Sequence, residues 1–422
     1  MSITKQPSLR ITPKLGRRDL LIGMAAASGV AALTTLGYRT LLGTPLDPSE
    51  EVVPFFGFHQ AGILTPTPAS GLFVAFDTTA TNKADLVRLF KTLTERIQFL
   101  MAGGTPKPRD PKFPPSDSGI MGPEIAPNNL TITLAVGNSL FDNRFGLGNL
   151  KPKRLDTMAN FPNDQLDPDL CHGDILLQFC ANTEESNLHA LRDIIKNLPD
   201  LLTLRWQIAA FLPPNTHKKQ GKSTVRNLLG FKDGTANLNA SDDKLMNRIV
   251  WVQPNSSEPA WTVGGSYQVV RVIRNLVERW DRTPLQEQET IIGRNKEIGA
   301  PLGMKHEKDI PNYDQDSEGK QIPLNAHIRL ANPRKSESSL ILRRGFNYSR
   351  GFDKSGHLDM GLLFVCFQAD LEKGFVTVQN RLIGEPLEEY IRPIGGGYFF
   401  ALPGVKAEGG YLGHSLLEAS AV

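Results

Sequence analysis

At 422 residues the chain is too long for one ordinary core and suits two domains of roughly 150–200 residues each. A composition of 40% hydrophobic and 22% charged residues excludes a disordered or membrane-embedded class. With 47 basic and 44 acidic residues the net charge is +3, too balanced to call for nucleic acid as a partner.

The first forty residues (1–40) read as an address. In KLGRRDLLIGMAAASGVAALTTLGY a basic stretch ends in Arg17-Arg18 and gives way to a mildly hydrophobic run rich in Ala and Gly. That is the layout of a twin-arginine export signal. A membrane anchor is the alternative, but the run from Leu20 to Leu36 is short and interrupted by glycine and threonine. Whether the leader is cleaved stays open. The route carries folded proteins, so it predicts a cofactor inserted before export and a periplasmic or otherwise extracytoplasmic protein.

Strand-like and helix-like segments then alternate. GLFVAFDTT (71–79) has the β-branched and aromatic content of a strand. Residues 85–101 carry Leu86, Leu89, Phe90, Leu93 and Ile97 at helical spacing. Strands are predicted at 130–137 and 173–181, a helix at 184–198, and a strand at 201–213. Cys180 lies in the third of these strands and Cys366 in a later one, where a small buried hydrophobe fits; three cysteines with Cys171 are too few for a disulfide framework or zinc site. A polar, basic stretch (215–227) is the candidate linker. The rhythm repeats with strands at 265–275, 339–346 and 361–370 and helices at 285–293 and 375–383. The pattern predicts two α+β halves, helices packed on antiparallel sheets, with boundaries at 50–215 and 225–422.

Three segments of the second half hold the chemistry. In GFKDGTAN (230–237) two glycines bracket Asp233, which requires a tight turn. NAHIRLANPR (325–334) brings His327, Arg329 and Arg334 together, with Pro333 fixing the chain. ILRRGFNY (341–348) places Arg343 and Arg344 in an apolar strand, whose pleat sends them to opposite faces. A buried arginine there needs an anionic partner or ligand. Arg343 could equally be an inter-domain salt bridge.

Together these segments resemble the signature of the dye-decolorising (DyP-type) haem peroxidases: GxxDG, a downstream His-x-Arg, and an arginine opening an RRG strand. The resemblance extends from about Phe55 to the chain end, through GGSYQVVRVIRN, GLLFVCFQ and IGGGYFFALPG. Leader and C-terminal motifs most closely resemble the exported peroxidase/deferrochelatase branch found with bacterial ferrous-iron uptake systems. The family implies two ferredoxin-like domains, related to dimeric α+β barrels, and one haem b held in the C-terminal one. It implies His327 as the iron's proximal ligand, with Asp233 and Arg343 as the catalytic pair on the opposite face. Gly234, Thr235 and Ala236 would line the haem edge. Asn332, Pro333 and Arg334 would border the porphyrin, with Arg334 and Arg329 toward the propionates. Asn237 and Phe364 are further pocket residues.

The second nitrogen of His327 needs an acceptor, and Asp370 is the expected one. Bulky donors cannot enter such a pocket, so oxidation at the surface through Trp251, Trp261, Trp280 or Tyr348 is expected. The remaining histidines (His59, His172, His189, His217, His306, His357 and His414) read as surface or structural groups, His59 in FFGFHQAG being the one to watch. Expected partners are hydrogen peroxide, an organic electron donor or haem as substrate, the twin-arginine machinery, iron-uptake components and further copies of the chain. Three functions compete: a peroxidase, an enzyme freeing iron from haem with the porphyrin intact, and a non-catalytic haem carrier.

Overall fold

Among the described residues, runs of β-branched and aromatic residues form nine strands: β1 (Ser70–Thr78), β2 (Thr131–Gly137), β3 (Ile175–Ala181), β4 (Leu202–Phe211), β5 (Ser266–Asn275), β6 (Leu342–Arg343), β7 (Phe346–Phe352), β8 (Leu358–Gln368) and β9 (Ile391–Ala401). The helices are α1 (Lys83–Ala102), α2 (Glu184–Asn197), α3 (Asp243–Ile249), α4 (Val277–Trp280), α5 (Leu285–Ile292), α6 (His327–Ala331), α7 (Thr377–Leu382) and α8 (His414–Ala419). The computed structural model describes residues 47–213, 224–335 and 339–420. The export segment, most of the candidate linker and His217 lie outside the described residues. No described helix is long and apolar enough to cross a membrane.

The strands run in the order β5-β9-β2-β3-β1-β4-β7-β8, and β8 pairs back onto β5, so the sheet closes into an antiparallel barrel. Short β6 continues along the β8 edge that β7 occupies. The two halves of the chain meet at two thin seams. Ala135–Gly137 of β2 pairs with Phe399–Ala401 of β9, and Phe211 of β4 pairs with Asn347 of β7.

Alternation divides the core. Leu72, Val74 and Phe76 share a cluster with the α1 residues Leu86, Leu89, Phe90 and Leu93, so that face lies under the helices. Phe73, Ala75, Leu176, Cys180, Val270, Val365 and Phe399 form a second cluster, on the interior face of the closed barrel. α1 starts where Asn82 accepts from the Asp85 amide at 3.0 Å, and all five of its predicted apolar positions are fully buried. The three cysteines are free and buried.

Two segments departed from the expected pattern. The strand predicted over 339–346 pairs only at Leu342–Arg343, then resumes at Phe346 and runs to Phe352. Its last four residues are exposed, so no apolar alternation marks them. β9 carries Pro393 and three glycines, which argue against a strand. The structure shows why it forms: a Cβ on Gly396 would lie 2.0 Å from the Val270 carbonyl oxygen, so only glycine admits β5 at this distance, where the ladder shifts register.

Candidate active site

Asp233 is presented by a small hairpin. Arg226 bridges to Lys232, the Asn227 side chain accepts from the amides of Leu229 and Phe231, and Gly230 turns the chain at φ +85°. The Asp233 amide then donates to the Val225 carbonyl at 2.8 Å. Trp280 supports the hairpin from below, donating its indole N–H to the Leu229 carbonyl at 2.9 Å and packing on Phe231.

Arg343 comes from β6, 110 residues away, and its guanidinium donates to Asp233 Oδ1 at 2.7 Å. Asn237 fixes the backbone of Arg343 in both senses: its Nδ2 donates to the Arg343 carbonyl at 2.7 Å, and its Oδ1 accepts from the Arg343 amide at 2.9 Å. The side chains of Arg343 and Asp233 are 32% and 24% exposed, so the pair is reachable from outside. It lines a cavity of about 220 Å³, together with Gly234, Asn237 and Phe364.

The pleat does send the two arginines apart, and Arg344 is the buried one. It finds no carboxylate among the described residues. One terminal nitrogen donates to the Thr65 carbonyl, while Nε and the other terminal nitrogen have no partner. Burial lowers its pKa. The anion expected for a buried arginine is therefore absent there, and the carboxylate belongs to the half-exposed Arg343.

His327 opens α6, with Nδ1 2.8 Å from Glu385 Oε2 and 3.1 Å from Oε1. Glu385 is 3% exposed and the imidazole 32%, so the carboxylate backs a ring whose other edge is open. Burial pulls the imidazole pKa down, but the charge and hydrogen bond of Glu385 more than offset this and hold it above the ordinary value. Arg343 and Asp233 also act on it electrostatically, the first lowering and the second raising its pKa.

This corrects the expected acceptor. Asp370 instead accepts from the amides of Glu372 and Lys373, capping the turn that leads into α7. Glu385 sits in the IGEP turn after α7, where no periodicity distinguishes it from neighbouring acidic residues. Arg329 is also spoken for: it donates to Asp316 and to the carbonyls of Tyr313, Asp316 and Ile322, tying down the 313–322 loop. Arg334 is exposed, has φ +59° and has no carboxylate partner among the described residues. Asn332 ends α6 and accepts from the Arg334 amide, and Pro333 is half-buried between them. Gly234 and Ala236 are exposed and Thr235 half-buried, as an open rim.

A further residue, Glu307, had not been singled out. Oε2 accepts from Lys232 at 2.6 Å, and Oε1 accepts from Thr235 at 3.0 Å and from Thr224. Its three donors flank Asp233 in sequence, so one carboxylate clamps the loop that carries it. Its only sequence signal is a glutamate within the charged run MKHEKDI.

The proposed surface relays do not reach the surface: Trp251, Trp261, Trp280 and Tyr348 are 2%, 5%, 1% and 0% exposed. His59 stacks on Trp251 at 3.7 Å and hydrogen-bonds the Gly264 carbonyl at 2.7 Å, a structural role.

Residues 60–212 match the family model for the N-terminal part of Dyp-type peroxidases, and residues 224–406 match the one for the C-terminal part. The chain belongs to the DyP-type peroxidase family. A deferrochelatase of Shigella sonnei (strain Ss046) is 62% identical over 409 residues, covering 95% of this chain and 97% of that protein. Among solved structures, the DyP-type peroxidase of Cellulomonas bogoriensis superposes with a TM-score of 0.80 at 34% identity, over 88% of this chain and 100% of that one. Ferric DtpA from Streptomyces lividans also gives 0.80, at 36% identity over 89% of this chain and all of its own. The fold of the family is thus the two-part α+β architecture with an antiparallel sheet described above.

Proposed function

We propose that the protein is a haem b peroxidase that reduces hydrogen peroxide and oxidises organic donors. The carrying observation is the side-chain set itself: His327 backed by the buried Glu385, and an accessible Asp233–Arg343 pair lining a cavity. The donor set fits haem: one imidazole with its second nitrogen uncommitted, an exposed rim at Gly234, Thr235 and Ala236, and Arg334 without a carboxylate. Haem bound there supplies the iron at which the peroxide is cleaved.

The chain's own residues do the rest. Glu385 accepts from Nδ1 of His327, which leaves Nε2 as the ligand atom and raises its basicity. Asp233 takes a proton from peroxide and returns it to the departing oxygen. Arg343 balances the charge that develops on that oxygen, and Asn237 keeps it aimed. Gly234, Thr235, Ala236, Asn332 and Pro333 would border the porphyrin, and Arg334 would pair with its propionates.

A second activity, release of iron from haem with the porphyrin intact, is favoured by the 62% identity to a protein named deferrochelatase. Asp233 is the acid available to protonate a pyrrole nitrogen. A non-catalytic carrier has no need of Asp233 and Arg343 together. The twin-arginine segment supports export of the folded enzyme, and iron-uptake components and further copies of the chain are its proposed partners.

The test is an absorption spectrum of the purified protein before and after hydrogen peroxide, for wild type and His327→Ala. A ferric haem band that peroxide alters, lost in the variant, is expected. A wild type that cannot be loaded with haem would overturn the reading.

A further inference from the structure

A second cavity lies elsewhere, at the ends of β1–β4, with a volume of about 430 Å³. Its charges are already balanced. Arg144 is paired with Asp142 and Asp174, and Arg205 with Asp77. Such a site offers little to a charged ligand. What it offers uncommitted is one imidazole and one aromatic wall.

The imidazole belongs to His172. Its backbone is held in the left-handed region at φ +62°, its amide donating to the Gly396 carbonyl at 2.8 Å and its carbonyl accepting from the Trp206 indole at 2.7 Å. A non-glycine residue pinned in that conformation points to a requirement on its side chain. The ring nitrogens have no hydrogen-bond partner among the described residues. Burial, and then the charge of Arg205, lower its pKa, so the ring is a neutral acceptor near neutrality.

The wall is Tyr398 of β9. It is 6% exposed, and its hydroxyl has no hydrogen-bond partner among the described residues. Its ring lies 5.9 Å from that of Phe375, and Phe375 lies 6.0 Å from Phe364. Phe364 lines the cavity of Asp233 and Arg343. A continuous file of three aromatic rings therefore joins the two cavities. Among the described residues, no ring contact joins the four buried aromatic residues suggested by the sequence to this cavity.

We propose that the cavity bounded by His172, Thr157 and Tyr398 is the docking site of a small, uncharged phenolic reductant, whose electron reaches the haem side along Tyr398, Phe375 and Phe364. This rests on the peroxidase reading above. The phenol gives up one electron through the aromatic file and its hydroxyl proton to His172. Two phenols reduce one hydrogen peroxide to two waters, each leaving as a phenoxyl radical. The oxidant is the peroxide of the proposed activity, and no other co-reactant is required.

The test uses the haem-loaded full chain and hydroquinone. Calorimetry reads hydroquinone binding, and stopped-flow absorption reads the peroxide step and the hydroquinone step separately. Wild type is expected to bind hydroquinone saturably. Thr157→Trp, at an exposed position, fills the cavity and abolishes that binding while the peroxide step proceeds at the wild-type rate. Phe375→Leu keeps the binding and the peroxide step but slows the hydroquinone step about tenfold or more. Equal hydroquinone binding in wild type and Thr157→Trp overturns the docking site. A wild-type hydroquinone rate in Phe375→Leu overturns the path. A wild type whose haem spectrum does not respond to peroxide overturns the peroxidase reading itself, which the other two failures would leave standing.

Discussion

Glu307→Gln tests whether Asp233 is held by the clamp beneath it. The Glu307 and Lys232 side chains are 15% and 16% exposed, so solvent screens their contact little. A charge-assisted hydrogen bond of this kind contributes about 1.5–3 kcal/mol. Glutamine keeps one oxygen for Thr224 and Thr235 but turns an amide N–H₂ toward the Lys232 ammonium. The loss should be about 2 kcal/mol, or about 30-fold in the local opening equilibrium. Amide hydrogen exchange over residues 225–237 should accelerate by that factor while the barrel strands stay unchanged, and the reaction with peroxide should slow. Exchange within about threefold of wild type over that loop would refute the clamp. The acid side gives a second reading. Burial pushes the Glu307 carboxyl up, but the hydrogen bonds from Lys232, Thr224 and Thr235 outweigh it and leave it below the ordinary 4.5. Its contribution is therefore complete above pH 4.5 and lost as pH falls through the lower folded value, a loss the glutamine variant should not show.

Asp233→Asn and Arg343→Leu should each retain the haem spectrum and slow the peroxide step by about 10²–10³ in stopped-flow measurements. Glu385→Gln should keep haem but raise its reduction potential, measured spectroelectrochemically, because a neutral amide makes His327 a weaker donor. Asp370→Ala should leave that potential unchanged and cost about 1 kcal/mol of unfolding stability, the worth of a helix cap. Asp164→Ala should lower the urea midpoint by the equivalent of about 3–5 kcal/mol, since Asp164 and Arg271 are each 1% exposed and the arginine would be left buried without its carboxylate.

What the sequence made legible followed from local chemistry. Strands β1, β3 and β5 announce themselves through runs of β-branched and aromatic residues, and α1 through its 3.6-residue apolar spacing. Asp233 and Arg343 stood out because a glycine-bracketed acid and a paired arginine in an apolar strand are locally anomalous. Glu385 did not stand out. It lies 58 residues from His327, and only the packing of the IGEP turn against α6 decides that it, rather than Asp370, meets the imidazole. β9 was hidden by its own requirement: the glycines that let it approach β5 are the residues that speak against a strand. Burial of the four aromatic relay candidates is likewise a matter of tertiary packing: Trp251 and Tyr348 lie in the barrel interior, Trp261 under the helices, and Trp280 in a small cluster with Phe231 and Tyr390.

The order of the strands around the barrel also sets a timetable. β9, the last strand to be synthesised, is hydrogen-bonded between β5 of its own half and β2 of the other, so the ring stays open until residue 401 has left the ribosome. Glu385, which hydrogen-bonds His327, emerges only shortly before. Neither half of the chain alone can make a closed barrel. A chain that ends before β9 is a barrel with a slot along its wall.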